Sequence, residues 1–254
     1  MNSKKVVGFM HTRQALVAIG GRASRLRVDG VEVAVSKSFL PLLGRPFLHW
    51  NLSALYVAGV RRVVLAAESQ IQLREAEMTL SKLSCEISFD HVEMFQDSGL
   101  GVHGLPHQAR DYLDDEFIFE CGHSLIRPVH YQRLSALKEP GSMVVSGFNP
   151  HRENPRQPVR LARDRVHRSR WWRPGKQAIA HPFVVDREYI EDLPALGFNI
   201  RNVVDLYAKS GRMKYVFSDM PPEFDLVQEM KESSTLYREY LSTSVDFWRL
   251  FEEC

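Results

Sequence analysis

Cysteine is scarce: three residues in 254, Cys85, Cys121 and Cys254. They lie far apart, with no CxxC spacing and no even framework, so reduced thiols rather than a disulfide scaffold are expected. No apolar run reaches the roughly 18 residues needed to cross a bilayer. The N-terminal stretch MNSKKVVGFMHTRQ lacks a signal-peptide apolar core. No membrane partner and a cytoplasmic location are therefore the expectation. Charge of one sign is also lacking: 33 Lys and Arg against 31 Asp and Glu leave +2 and a pI near 8.4. That is too mild to demand nucleic acid. Repeats and low-complexity tracts are missing too. With 44% hydrophobic and 25% charged residues, this is the composition of a globular chain, read as a single domain over 1–254.

What the chain does contain is a distinctive break after its first apolar run. Ala15 to Ile19 stops at Gly20-Gly21, and Arg22-Ala23-Ser24-Arg25-Leu26 follows. Lys37 comes next, then a second apolar segment ending Gly44-Arg45-Pro46. A strand that opens into a glycine-rich, cationic loop suits phosphate. Backbone N–H groups can turn inward with no Cβ in the way, while Arg and Lys supply balancing charge.

These residues resemble the N-terminal signature of the sugar-1-phosphate nucleotidyltransferases, G-G-x-G-T-R-L followed by P-K-P-L-L-P-L-x-G-x-P. Here the two parts read Gly20-Gly21-Arg22-Ala23-Ser24-Arg25-Leu26 and Ser36-Lys37-Ser38-Phe39-Leu40-Pro41-Leu42-Leu43-Gly44-Arg45-Pro46. Ala23 replaces the second loop glycine and Ser24 the threonine. The resemblance runs to about Glu68 and is patchier beyond.

The following residues extend the pattern. Phe47, Leu48, Leu52, Leu55 and Tyr56 have helical spacing, and Gly59 falls where a helix C′ residue takes a left-handed conformation. Val63 to Ala67 reads as a buried parallel strand, completing a βαβ unit. A helix over 69–82 and a strand over 87–92 are expected next. Gly101 and Gly104 keep the spacing of the family's second glycine loop, which contacts the nucleotide base and sugar. Val102 and His103 do not keep its residue types, and a loop whose glycines serve only backbone geometry is the competing reading. A helix over 107–113 precedes the strand 117–121.

That strand ends in Gly122-His123, where the resemblance places a Gly-Asp pair whose Asp binds catalytic Mg²⁺ beside the sugar phosphate. Mg²⁺ prefers carboxylate and water oxygens. His123 therefore implies lost catalysis, a displaced metal site or an imidazolium in place of the metal; a local hydrogen bond at a strand end stands beside these. A helix over 129–137 and a strand over 142–148 follow.

Residues 149–176 form a basic stretch, with Arg152, Arg156, Arg160, Arg163, Arg165, Arg168, Arg170, Arg173 and Lys176 around Trp171-Trp172. It reads as a substrate-facing or partner-facing hairpin rather than a nucleic-acid site. Trp172-Arg173-Pro174 stands where the resemblance has a sugar-binding E-K-P, which makes Arg173 a candidate acceptor contact. His181-Pro182 replaces an Asn-Gly type pair, and the altered positions Ala23, His103, His123 and His181 are read as lying in loops where ligands bind. A strand over 178–186 and a helix over 187–193 are expected here. A helix over 200–210, a strand over 213–217 and a C-terminal helix over 233–251 complete the pattern. Asp225 is the candidate for a late metal-binding Asp.

The alternation predicts an α/β, Rossmann-like domain with a mainly parallel central sheet flanked by helices, with ligands at the strand C-terminal ends. From the resemblance, the fold is of the nucleotide-diphospho-sugar transferase type, without the β-helix acyltransferase domain some relatives append. The implied activity transfers NMP from a nucleoside triphosphate to a sugar-1-phosphate or cyclitol phosphate, releasing pyrophosphate. In that reading Gly20, Gly21, Ser24, Gly101 and Gly104 bind nucleotide, Arg25 and Lys37 act on the phosphates, His123 and Arg173 face the acceptor, and Asp225 holds Mg²⁺. The alternative is a non-catalytic nucleotide-sugar sensor or regulatory subunit. A glycosyltransferase-like use ranks last, because Asp114-Asp115 precedes its strand instead of ending it. Homo-oligomer formation is left open.

Overall fold

Strand β1, Gln14–Ala18, is buried at every position and forms the middle of a sheet. The computed structural model describes residues 11–20, 27–28, 31–32, 36–83, 87–148, 159–162, 165–168 and 178–218. After β1 come helix α1 (Phe47–Ala58), strand β2 (Arg62–Ala67), helix α2 (Gln70–Leu83), strand β3 (His91–Gln96), strand β4 (Glu116–Cys121), helix α3 (Pro128–Ala136) and strand β5 (Met143–Phe148). Strands β6 (Val159–Ala162), β7 (Arg165–Arg168) and β8 (Ala178–Asp186), helices α4 (Arg187–Asp192) and α5 (Ile200–Lys209), and strand β9 (Met213–Phe217) follow.

The nine strands form one sheet in the order β6-β7-β9-β5-β8-β4-β1-β2-β3. β1 pairs in parallel with β2 and β4, β2 with β3, and β9 with β5. Only β7 and β8 run against the rest, so the mainly parallel α/β sheet is what forms. The parallel core explains the continuous apolar runs: with helices on both faces, no side of these strands meets water.

Alternate residues feed two cores. Leu16, Val64, Phe117, Phe119, Val145 and Phe183 pack with α4 and α5 residues such as Tyr189, Val203 and Tyr207. Val17, Leu65, Ile118, Val144 and Val184 pack with Leu48, Leu52 and Leu55 of α1, Ala76 of α2 and Tyr131 and Leu134 of α3. Helix α1 ends as its sequence implies: Gly59 has φ 118° and its N–H caps Leu55 O and Tyr56 O. None of the described helices is long and apolar enough to cross a membrane.

Two boundaries differ from expectation. The third strand is 91–96, not 87–92. Ile87 instead donates its N–H to the carbonyl of Leu83, the last residue of α2, at 3.0 Å, and Asp90 N–H donates to Arg61 O at 2.7 Å. Pairing of His91 opposite Arg62 decides where β3 begins, which local alternation cannot. The helix expected over 107–113 is a single turn, Leu105–Gln108, with Pro106 near its start, followed by a 3₁₀ turn over Arg110–Tyr112. In the basic stretch, β6 and β7 do pair as a hairpin, and Arg165 opposite Lys214 joins it to the sheet. Trp171, Trp172, Arg173, Asp225 and the expected C-terminal helix lie outside the described residues.

Candidate functional site

Because β1, β2 and β4 are parallel, their C-terminal ends meet at one edge. Ile19 N–H donates to Ala66 O at 2.8 Å and Gly122 N–H to Ala18 O at 2.9 Å, lacing the three exits together. Gly20 is glycine for a packing reason: a Cβ there would stand 2.8 Å from Glu68 Cγ and 3.0 Å from Glu68 N. Gly21, Ser24 and Arg25 lie outside the described residues.

Lys37 is brought to this edge by a short strap. Ser36 Oγ donates to Ile19 O at 2.8 Å and accepts from Ser38 N–H at 3.3 Å, so one hydroxyl both anchors the strap and caps the 3₁₀ turn Lys37–Phe39. Lys37 is only 7% exposed, an uncommon state for lysine. The strap continues through a tight turn with Leu43 at φ 50° and Gly44 at φ 83°, then enters α1. Trp50 Nε1–H donates to Leu42 O at 2.8 Å. Arg45 Nη1 lies 2.6 Å from His49 Nε2, with its guanidinium over the Trp50 ring at 5.9 Å. Burial, then the Arg45 charge, lowers the His49 pKa to about 4. The ring is thus a neutral acceptor for Arg45.

The second glycine loop is held at its base. Asp97 Oδ1 accepts from Gly99 N–H at 2.9 Å and Gln108 Nε2 at 2.6 Å. Gly99 and Gly101 have φ 90° and 74°, conformations that favour glycine. Gly104 is crowded: a Cβ would lie 2.4 Å from Leu100 Cβ. Between these glycines His103 turns inward and stacks on His181, with centroids 5.8 Å apart and planes 17° from parallel. His181 in turn stacks on Phe183 at 4.2 Å and meets the Phe119 edge at 4.6 Å. Its Nδ1 lies 3.2 Å from Phe119 O.

Burial, followed by the neighbouring His181, lowers the His103 pKa to about 3. Burial likewise takes His181 to about 4, against the bond to Phe119 O, which raises it. Both are uncharged at neutral pH. Two of the departures from the family pattern, distant in sequence, are therefore one aromatic stack. His181 does not lie in a ligand loop, as the sequence suggested. It is 5% exposed within β8, at the register shift between Ala180 and Phe183.

At the end of β4, Gly122 packs under the strap and half-buried His123 follows it. Sequence reasoning missed what stands behind this turn. Glu120, fully buried, accepts from Cys121 N–H through Oε1 and from Tyr131 O–H through Oε2, both at 2.8 Å. Asn51 Nδ2 donates to Ser124 O at 3.3 Å and to Tyr131 Oη at 3.4 Å. The available signals were a carboxyl inside the run Phe117-Ile118-Phe119-Glu120-Cys121 and a carboxamide inside an almost wholly buried α1.

The described residues fit Mg²⁺ poorly. They contain no group of three His, Cys, Asp or Glu able to hold a metal. Both Glu120 oxygens are taken by hydrogen bonds, and His123 offers nitrogen to an ion that prefers oxygen. The Asp114 carboxylate pairs with Arg62 at the N-terminal end of β2, the opposite edge of the sheet, so it supplies no strand-end motif.

No protein-family model matches the chain. Over 104 residues it is 34% identical to the mannose-1-phosphate guanylyltransferase catalytic subunit beta of Danio rerio, covering 40% of this chain and 27% of that one. The match thus spans about a quarter of that relative's length. Among solved structures, the inositol-1-phosphate CTP transferase from T. maritima superposes with a TM-score of 0.73 at 17% identity, over 92% of this chain and 98% of that one. A putative glucose-1-phosphate thymidylyltransferase from Bacillus anthracis gives 0.69 at 15% identity, over 89% and 95%.

Proposed function

On the premise that the chain has the sugar-phosphate nucleotidyltransferase fold, we propose that it transfers NMP from a nucleoside triphosphate to a sugar-1-phosphate or cyclitol phosphate. In this reaction an acceptor phosphate oxygen attacks the α-phosphorus in line. The bond to the β-phosphate oxygen breaks, and pyrophosphate leaves with that electron pair. The observation that carries the reading is the strap: Lys37, almost fully buried, is tied to the exit of β1 by the bond from Ser36 Oγ to Ile19 O.

A cation fixed there offsets charge as two phosphate anions approach, without reorganising at the moment of reaction. Arg25 is proposed as the second such cation, with Gly20, Gly21 and Ser24 shaping the triphosphate loop and Gly101 and Gly104 facing the nucleoside. His123 and Arg173 are assigned to the acceptor. Asp225 is the residue proposed for Mg²⁺, and no step is assigned to the ion.

Calorimetric titration with a panel of nucleoside triphosphates and nucleotide sugars, with and without Mg²⁺, tests this directly. Tight binding of one triphosphate is expected and selects the nucleotide for an acceptor screen that includes inositol and hexose phosphates. Binding of nothing in the panel would overturn the proposal. His123, at the position of the expected Asp, favours one second reading: a sensor or regulatory subunit that binds nucleotide sugar without turnover. Pyrophosphate release by the unaltered chain would end that reading.

A further inference from the structure

The mechanism leaves Glu120 unused, yet a carboxyl in the apolar layer between the sheet and helices α1 and α3 is costly unless its oxygens are satisfied. Here both are. Glu120, Tyr131 and Ser124 are fully buried and Asn51 is 1% exposed. Together they make one continuous path. Cys121 N–H and Tyr131 O–H donate to Glu120, and Asn51 Nδ2 donates both to Tyr131 Oη and to Ser124 O. The path begins at the last residue of β4 and ends just past His123, so it grips the Gly122-His123 turn on both sides. It also joins α1, through Asn51, to α3, through Tyr131.

A second observation separates this arrangement from ordinary core packing. Of the seven buried side-chain polar atoms with no hydrogen-bond partner among the described residues, three are Ser38 Oγ, Asn51 Oδ1 and Ser124 Oγ. All three belong to the surroundings of the same turn, and Ser38 Oγ lies 3.0 Å from where a Gly122 Cβ would be. A layer selected only for stability would replace such groups by apolar ones, since each unsatisfied group costs on the order of 1–3 kcal/mol. Three such groups behind one strand exit, beside the strap that carries Lys37, are polar chemistry held at a stability cost, which points to function.

We infer that Glu120, Tyr131 and Asn51 are positioning residues that set the Gly122-His123-Ser124 turn, and with it the His123 ring, against the Lys37 strap. The inference rests on the proposed function only for the identity of the ligand. None of the three needs to touch substrate. Tyr131 is the centre of the path, as both the donor to Glu120 and the acceptor from Asn51.

The experiment is side-chain NMR of the full chain, with the His123 ring signals identified by their loss in H123N, applied to Y131F, E120Q and N51S. Thermal melts and calorimetry with the triphosphate that the unaltered chain binds best accompany it. The His123 signals are expected to shift or broaden in all three variants. Those of His103 and His181, on the other face of the sheet, stay in place. Affinity falls about fivefold in Y131F and N51S, the size of one lost hydrogen bond, and less in E120Q, because the Gln carbonyl still accepts. Lowered melting temperatures with unmoved His123 signals would overturn the inference and leave a merely structural network. If the unaltered chain binds no triphosphate, the functional reading fails, and the His123 signals still decide this one. Should Y131F not fold, N51S carries the test.

Discussion

Gly122 at the end of β4 lies directly under Ser38 of the strap: a Cβ on it would stand 3.0 Å from Ser38 Oγ, 2.9 Å from Ile19 Cγ2 and 3.2 Å from Leu48 Cδ1. Lys37 and His123, the sequence neighbours of Ser38 and Gly122, are thereby carried on one packed block. Substituting Gly122→Ala forces three elements apart and should cost about 1–3 kcal/mol by overpacking. Because the displaced element carries Lys37, nucleotide affinity should fall with it. Chemical unfolding and calorimetry on the same variant check both, and a stability loss with unchanged affinity would uncouple the strap from the site.

Replacing Lys37 by Ala should cut turnover far more than it weakens nucleotide binding. A cation aimed at charge that develops in the transition state contributes mainly to kcat, typically 10²-fold or more. Steady-state rates of pyrophosphate release beside titrations give the comparison. Equal loss of both quantities would make Lys37 a binding residue only.

Stability should fall on acidification through the buried histidines. His181 in the folded chain titrates at about 4, below its ordinary value of 6.5. The unfolded chain therefore binds the proton first, and the contribution, complete above pH 6.5, is lost as pH drops toward 4. For His181 the loss is on the order of 3 kcal/mol, and His103, lowered to about 3, acts in the same direction. Urea unfolding at pH 7 and pH 4.5 should show the fall, and it should be smaller in His181→Phe.

At the opposite edge of the sheet, Asp186 Oδ2 accepts from Lys138 Nζ at 2.6 Å and Gly141 N–H at 2.8 Å, with the Lys138 side chain 1% exposed. Lys138→Ala strands a carboxylate that is largely buried and should cost about 3 kcal/mol. Nucleotide affinity should not move, since the pair lies at the edge away from the β1 exit. Melting curves and titration together test the separation.

If His123 has replaced a working metal ligand, His123→Asp should raise Mg²⁺-dependent pyrophosphate release above that of the parent. An unchanged or lower rate would mean that the imidazole is itself the adapted group. The same assay run without Mg²⁺ distinguishes the two.

The amino-acid sequence by itself determined the local architecture. Apolar runs bounded by Gly and Pro specified β1, α1 and β2, and Gly59 the left-handed end of α1, because these depend on backbone sterics and on burial at short range. It also marked the candidate phosphate region, since Gly20 and Lys37 stand in a pattern that can be read along the chain. What the tertiary structure decided are relations between residues far apart. The stack of His103 on His181 exists because β8 passes beside β4 and the glycine loop folds over both. The start of β3 depends on Arg62 across the sheet, and the Glu120–Tyr131–Asn51 path depends on three elements packing together. Hydrogen bonds and ring contacts of that kind are set by the distance between partners in space, which spacing along the chain does not encode.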